Sequence, residues 1–226
     1  MALRIFDVDP DARPKKGFAD DLVGRFRSGA QVNGRPLALS EWRVTTGDPD
    51  VADAIAAALG GTPEEWDTKT EETLEVYTAA PSVRVLLDGP QAVRTSMALW
   101  GRNNKKVREC DGVTQMDDAK SPCVCPDKVA DRKVAAKEGT GCEPSISIFF
   151  RLADEALRDL GKFRFQSGSW SMAAEIGEAE AKLADINGPA IATLSLERVE
   201  YTTKAGREVS YTKPVLKVLG PSEADS

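Results

Sequence analysis

Apolar residues recur at every second position along much of this chain, and a period of two marks strands rather than helices. Leu74, Val76 and Tyr77, then Val83, Val85 and Leu86, predict two strands, with Asp88-Gly89-Pro90 turning the chain after them. Met97-Ala98-Leu99-Trp100 and Ile146-Ser147-Ile148-Phe149-Phe150-Arg151 predict two more, and Phe163 and Phe165 share one face of the next. Hairpins are predicted near both ends. Gln31-Val32 and Pro36-Leu37-Ala38-Leu39 flank Asn33-Gly34, a strong two-residue turn signal. Ile191 to Thr203 pairs with Arg207 to Leu219 around Lys204-Ala205-Gly206, with Tyr201 and Tyr211 near the turn. Pro214 cannot donate to a ladder, so it predicts an edge strand or a bulge.

Helical spacing is confined to short stretches. Asp48 is placed to cap a helix with Pro49 at its first position, carrying Val51, Ile55, Ala58 and Leu59 and ending at Gly60-Gly61. Thr62-Pro63-Glu64-Glu65 reads as a capping box that starts a second helix, with Trp66 joining both to the sheet. Pro126 to Glu138 is a charged, alanine-rich helix, Leu152 to Leu160 a short one, and Ser169-Trp170-Ser171 opens an amphipathic one bearing Met172, Ile176 and Leu183. Residues 1–30 predict an extended, largely irregular entry with room for one short strand. Within it Arg25-Phe26-Arg27 is either a contact arm or a buried Phe26 between solvated arginines. The tail Pro221 to Ser226 is expected to fray.

The elements add up to a β-rich α+β fold: an antiparallel sheet or an OB-like, partly closed barrel with short helices, the alternative being a flat helix-backed sheet. Residues 1–226 read as one domain, with a zinc-binding insertion at 103–143. A chain of 226 residues, 41% hydrophobic and 29% charged, can bury a substantial core. No stretch approaches the roughly 20 apolar residues that span a bilayer.

Charge and chemistry narrow the function. A net charge of −6 and a pI near 5.0 argue against coating duplex nucleic acid. The local run Arg102-Asn103-Asn104-Lys105-Lys106-Val107-Arg108 leaves a phosphate contact open. The chain has no histidine, which removes histidine bases, triads and His-ligated metals. No phosphate-binding glycine loop is present. Acidic residues are plentiful but scattered, so the expectation is a protein without catalytic residues.

All four cysteines, Cys110, Cys123, Cys125 and Cys142, lie in the insertion, each close to Gly or Pro. Their spacing admits a structural zinc site, a disulfide framework or separate core thiols. The N-terminus Met1-Ala2-Leu3-Arg4-Ile5-Phe6-Asp7 lacks the apolar run of a signal peptide, which favours a reducing cytosol and therefore zinc. Four thiolates would close the tetrahedron and leave no open position for water. Lys105, Lys106, Arg108, Lys128, Arg132 and Lys133 are near enough in sequence to steady the negative centre that results.

Several longer pieces carry a resemblance. These are Val23-Gly24-Arg25-Phe26-Arg27-Ser28-Gly29, Asn33-Gly34-Arg35-Pro36, and Glu41-Trp42-Arg43-Val44-Thr45-Thr46-Gly47-Asp48-Pro49. To them belong Leu99-Trp100-Gly101-Arg102, Glu109-Cys110-Asp111-Gly112, Phe165-Gln166-Ser167-Gly168-Ser169-Trp170, and Tyr201-Thr202-Thr203-Lys204-Ala205-Gly206-Arg207. Together they resemble the phage recombination directionality factor-like family. The resemblance implies an accessory protein of an actinobacterial phage, working in the cytoplasm of the bacterial host. It would bind a large serine integrase and turn it from attP × attB integration to attL × attR excision. DNA would be met only through the integrase complex, with no membrane and no small-molecule substrate involved. A different expectation is a single-stranded nucleic-acid binder stacking bases on Trp42, Trp100, Trp170, Phe163 and Phe165, for which the competing role is core packing.

Overall fold

The computed structural model describes residues 22–222 apart from 33, 102, 104 and 205; the expectations for the first 21 residues and for the last four fall outside it. In chain order the elements are β1 (Leu22–Val32), β2 (Arg35–Thr46), α1 (Pro49–Leu59), β3 (Pro63–Glu65), β4 (Leu74–Tyr77), β5 (Ser82–Leu87), β6 (Val93–Trp100) and β7 (Lys106–Cys110). Then come α2 (Val129–Lys137), β8 (Glu143–Leu152), β9 (Lys162–Ser167), α3 (Trp170–Ile186), β10 (Ala190–Thr202) and β11 (Glu208–Pro221). The strands run β11-β10-β5-β8-β9-β1-β2-β4-β3, with β6 and β7 branching from β8.

β8 is the joint of the sheet. Its first part is paired on both sides, by β6 from Val93↔Ile148 to Ala98↔Glu143 and by β9 from Ile146↔Ser167 to Phe150↔Phe163. Its last residues, Arg151 and Leu152, hand the sheet on to β5. The period-two pattern sets its faces, for Ile146, Ile148, Phe150 and Leu152 are all buried. Phe150 meets Phe26 at 5.3 Å, Phe26 meets Trp42 at 5.7 Å, and Trp42 meets Phe165 at 5.1 Å, all edge to face. Three strand pairs away, β10 and β11 form the long hairpin, and β11 is an edge strand that tolerates Pro214.

The helices opened by Asp48 and Ser169 are both capped by those side chains. The Asp48 carboxylate accepts the N–H of Asp50 at 2.9 Å, with Pro49 opening α1. The Ser169 hydroxyl accepts from Met172 N at 3.2 Å, and α3 buries Met172, Ile176, Ala179 and Leu183.

Five expectations are corrected. The entry segment is an 11-residue strand over its described part, with Phe26 buried between two arginines. The sheet is mixed, not antiparallel, because β1 runs parallel to β9 through Arg25↔Arg164 and Phe26↔Phe165. It is also not a closed or OB-like barrel, since the strand path ends on β11 and β3. Residues 78–81 link β2 to β10 by single bonds without forming a ladder. Trp42 N donates to Ala80 O at 3.0 Å, Thr78 N to Trp42 O at 2.9 Å, and Leu196 N to Pro81 O at 2.7 Å. Pro81 has no N–H to extend that bonding.

The remaining corrections concern two helices. Pro63–Glu65 is a strand paired with β4. Gly61, at φ +95°, lies so close to β4 that a Cβ there would meet Tyr77 O at 2.1 Å. The chain is therefore pinned to the sheet before a helix can start. Leu152 to Leu160 is likewise no helix: Leu152 ends β8, Asp154 accepts from Ala156 N at 3.0 Å, and only Arg158–Leu160 makes a single 3-10 turn.

Candidate functional site

The cysteine insertion leaves the sheet at β7 and returns at β8. Cys110 ends β7 opposite Met97, and Cys142 lies immediately before β8. Between them the chain makes tight turns. The Asp111 carboxylate accepts N–H bonds from Val113 at 2.8 Å and Thr114 at 2.7 Å, which hold it below the usual carboxylate range. Cys123 N donates to Val113 O at 2.7 Å, bringing the Cys123-Val124-Cys125 turn against the first. Helix α2 buries no residue, so polar contacts hold it. Arg132 reaches Gly112 O at 2.7 Å and also Pro126 O, and Thr140 N and Gly141 N both donate to Ala135 O at 2.9 Å.

These turns bring the four predicted thiols together. Cys110 and Cys123 sulfurs are 3.4 Å apart, Cys125 N donates to Cys123 Sγ at 3.4 Å, and Cys142 N donates to Cys125 Sγ at 3.4 Å. All four cysteines are free thiols. Arg108 caps the group, its Nε donating to Cys142 Sγ and its Nη2 to Cys125 Sγ, each at 3.4 Å. Burial and the bond to Cys123 push the Cys110 thiol up to about 12. Burial also opposes ionisation of Cys125, but the Cys142 N–H, the neighbouring thiols and Arg108 outweigh it, and its pKa falls. Among the described residues no set of three or more His, Cys, Asp or Glu side chains is arranged as a metal-binding group. The thiols are gathered, and the metal stays an expectation.

Of the cations expected to steady them, Arg108 is the one seen bonded to sulfur. Lys106 binds Glu109 at 2.6 Å, Arg132 serves carbonyls, and Lys133 lies 5.7 Å from the Trp170 ring. The aromatic stacking platform is corrected in part, for Trp100 is exposed on β6 and Trp170 half-buried at the start of α3. Trp42, Phe163 and Phe165 are fully buried in the core, where no base can reach them.

A second constellation was not anticipated. The outer face of β9-β1-β2-β4 carries Arg164, Arg25 and Thr45 in one row of the register, and Arg27, Arg43 and Tyr77 in the next. The four arginines and Tyr77, with Trp66 and Glu75, line a groove of about 820 Å³. Glu72, from the loop before β4, is its hub: it binds Arg25 at 3.1 Å, Arg27 at 2.9 Å and the Thr45 hydroxyl at 2.8 Å. Arg43 pairs with Glu75 and lies 4.4 Å from the Trp66 ring centre. Burial lowers the Arg27 pKa, and neighbouring Arg43 and Arg25 add to this against the pull of Glu72. The alternating arginines were a usable signal; their carboxylate, far along the chain, was not.

Glu72 is partly buried, so neutralising it should matter. Glu72→Gln leaves Arg25 and Arg27 facing each other, and we expect a loss of about 1–2 kcal/mol. That corresponds to a fall in Tm of a few degrees in a thermal melt. An unchanged melt would mean that the three groups are too well solvated to count.

Comparison with known proteins adds one finding. A family model described as Gp3-like, recombination directionality factor-like, matches residues 23–219. No solved structure matches the chain.

Proposed function

The chain belongs to the recombination directionality factor-like family, and on that premise we propose that it binds a phage large serine integrase and switches it from attP × attB integration to attL × attR excision. The family match across residues 23–219 carries this reading. The switch needs no chemistry from this chain, because the integrase cuts and joins the DNA. It needs unequal affinity for two arrangements of the partner. Moving an equilibrium from 1:99 to 99:1 takes about 5.5 kcal/mol of such preference, within reach of an ordinary protein interface. A net charge of −6 suits a molecule that meets DNA through a basic partner. Among the described residues no helix is long and apolar enough to cross a membrane.

In the same reading Cys110, Cys123, Cys125 and Cys142 hold one structural zinc ion. The donor set favours it. A tetrahedron with Zn–S of about 2.3 Å has sulfur edges of roughly 3.8 Å, and the Cys110 and Cys123 sulfurs lie 3.4 Å apart. Backbone N–H groups of Cys125 and Cys142 and the Arg108 guanidinium already point at sulfur and would balance a four-thiolate centre. Bound there, zinc would supply a cross-link between β7, the turns and the start of β8.

The test is recombination in vitro with purified integrase. With this protein present, attL × attR product should appear and attP × attB product should fall. No change in either reaction would end the reading.

A further inference from the structure

Two pairs of arginines on the outer face of the sheet stand directly opposite each other. Arg25 faces Arg164 across β1 and β9, and Arg27 faces Arg43 across β1 and β2. Neighbouring strands lie only about 4.8 Å apart, and like charges set opposite each other there cost stability. Violations of that kind concentrate at functional sites. Nearby carboxylates offset part of the charge. Glu75 pairs with Arg43, but Arg25 and Arg27 share the single carboxylate of Glu72, so that end of the groove keeps a positive excess. Asp67 also lines the groove, is exposed, and makes no ion pair among the described residues. Burial, and after it Arg43 and Arg25, hold the Arg27 pKa down in spite of Glu72.

Two further features point to the kind of anion. The first is aromatic. Trp66 and Tyr77 line the same groove, with Arg43 4.4 Å from the Trp66 ring centre and 5.6 Å from that of Tyr77, and Tyr77 is 44% exposed. Guanidinium forks take phosphate, and an accessible ring beside them takes a base. An acidic peptide would use only the forks. The second is shape. β9 stops pairing with β1 at Phe26, whereas the groove runs on along β1 to Gln31 and so follows an open strand edge. Its volume of about 820 Å³ gives room for a nucleotide-sized group rather than one ion.

We propose that this groove binds the phosphodiester backbone of a single nucleic-acid strand, with Arg25, Arg27 and Arg164 on phosphate and Tyr77 against a base. The net charge of −6 sets the limits of the contact. It repels phosphate from the rest of the surface, which confines the strand to the groove and opposes the coating of a duplex. Glu72 and Glu75 compete for the same arginines, so the affinity is modest and falls as salt rises.

The experiment measures anisotropy of a fluorescein-labelled single strand of about 16 nucleotides at low salt, without integrase. It compares wild type with Arg25→Gln/Arg164→Gln and with Tyr77→Ala, and uses the matching duplex, inorganic phosphate and polyglutamate as further ligands. We expect the single strand to bind more tightly than the duplex, with an affinity that drops steadily with salt. The arginine variant should bind at least ten-fold more weakly. Its melt should not fall, because it removes an opposed like-charge pair while Glu72 keeps Arg27 and Thr45. Tyr77→Ala should weaken binding about five-fold or more, the loss of one stacked base. If the arginine variant does not fold, Tyr77→Ala decides alone. No binding by wild type, or both variants within two-fold of it, would overturn the proposal. So would a duplex bound as tightly as the strand, or polyglutamate displacing the strand as well as unlabelled oligonucleotide does. Inorganic phosphate that raises the melt where no strand binds would make the groove a site for small anions and overturn it too. With integrase absent from the assay, each of these outcomes leaves the integrase reading as it stands.

Discussion

Trp42→Ala should cost about 3–5 kcal/mol, the range for emptying a large aromatic site in a packed core. For a chain of this size that is a fall in Tm on the order of 10 °C, readable by calorimetry or circular dichroism. Trp42 is wholly buried and stands edge-on to Phe26 and Phe165, so its loss opens a void under β1, β2 and β9 together. The site cannot collapse easily, because the Trp42 backbone is held by Ala80 and Thr78 on the segment that links β2 to β10. The indole Nε1 is buried without a hydrogen-bond partner. Trp42→Phe should therefore lose much less, since it keeps a ring and removes that unmet donor. A drop of only a degree or two for Trp42→Ala would mean that the core is not joined through this residue.

Much of this core was legible in advance, and the reason is local. Phe163 and Phe165, or Ile146 and Ile148, declare a buried face through their spacing alone, whichever strand lies beside them. The β10–β11 hairpin was legible too, because its turn residues and the alternation on both arms agree. Pairing partners were not. That β1 lies parallel to β9 depends on contacts between Arg25 and Arg164 or Phe26 and Phe165, which no local period records. Pro63 to Glu65 carries a helix-start pattern, yet the close approach of Gly61 to Tyr77 places it on β4. The arginine face was missed for a related reason. Arg25, Arg27 and Arg43 follow the strand alternation, whereas Glu72 belongs to a loop 45 residues from Arg27. The thiols stood out because all four share one insertion, and the turns gather them as their Gly and Pro neighbours suggested.

Zinc at those thiols makes the other large prediction. Metal analysis of the purified protein should find about one zinc per chain, as four thiolate ligands require. Cys123→Ser, or removal of the metal by a chelator, should release the insertion and leave the sheet folded. The confinement follows from how the insertion is attached. It joins the body through the β6–β7 pairing and the Cys142 start of β8, and α2 buries nothing that could hold it otherwise. Binding of a structural zinc is worth on the order of 10 kcal/mol in small zinc modules, more than the turns around Asp111 and Asp117 can replace. Hydrogen exchange should show residues 111–141 losing protection while the β8–β9 ladder keeps it. The direction with pH is set by the thiols. Burial pushes metal-free Cys110 up to about 12, so uptake must displace a proton there and affinity should fall as pH falls. Purified protein that carries no metal and whose exchange pattern ignores chelator would show instead that the four thiols are packed as a small buried cluster.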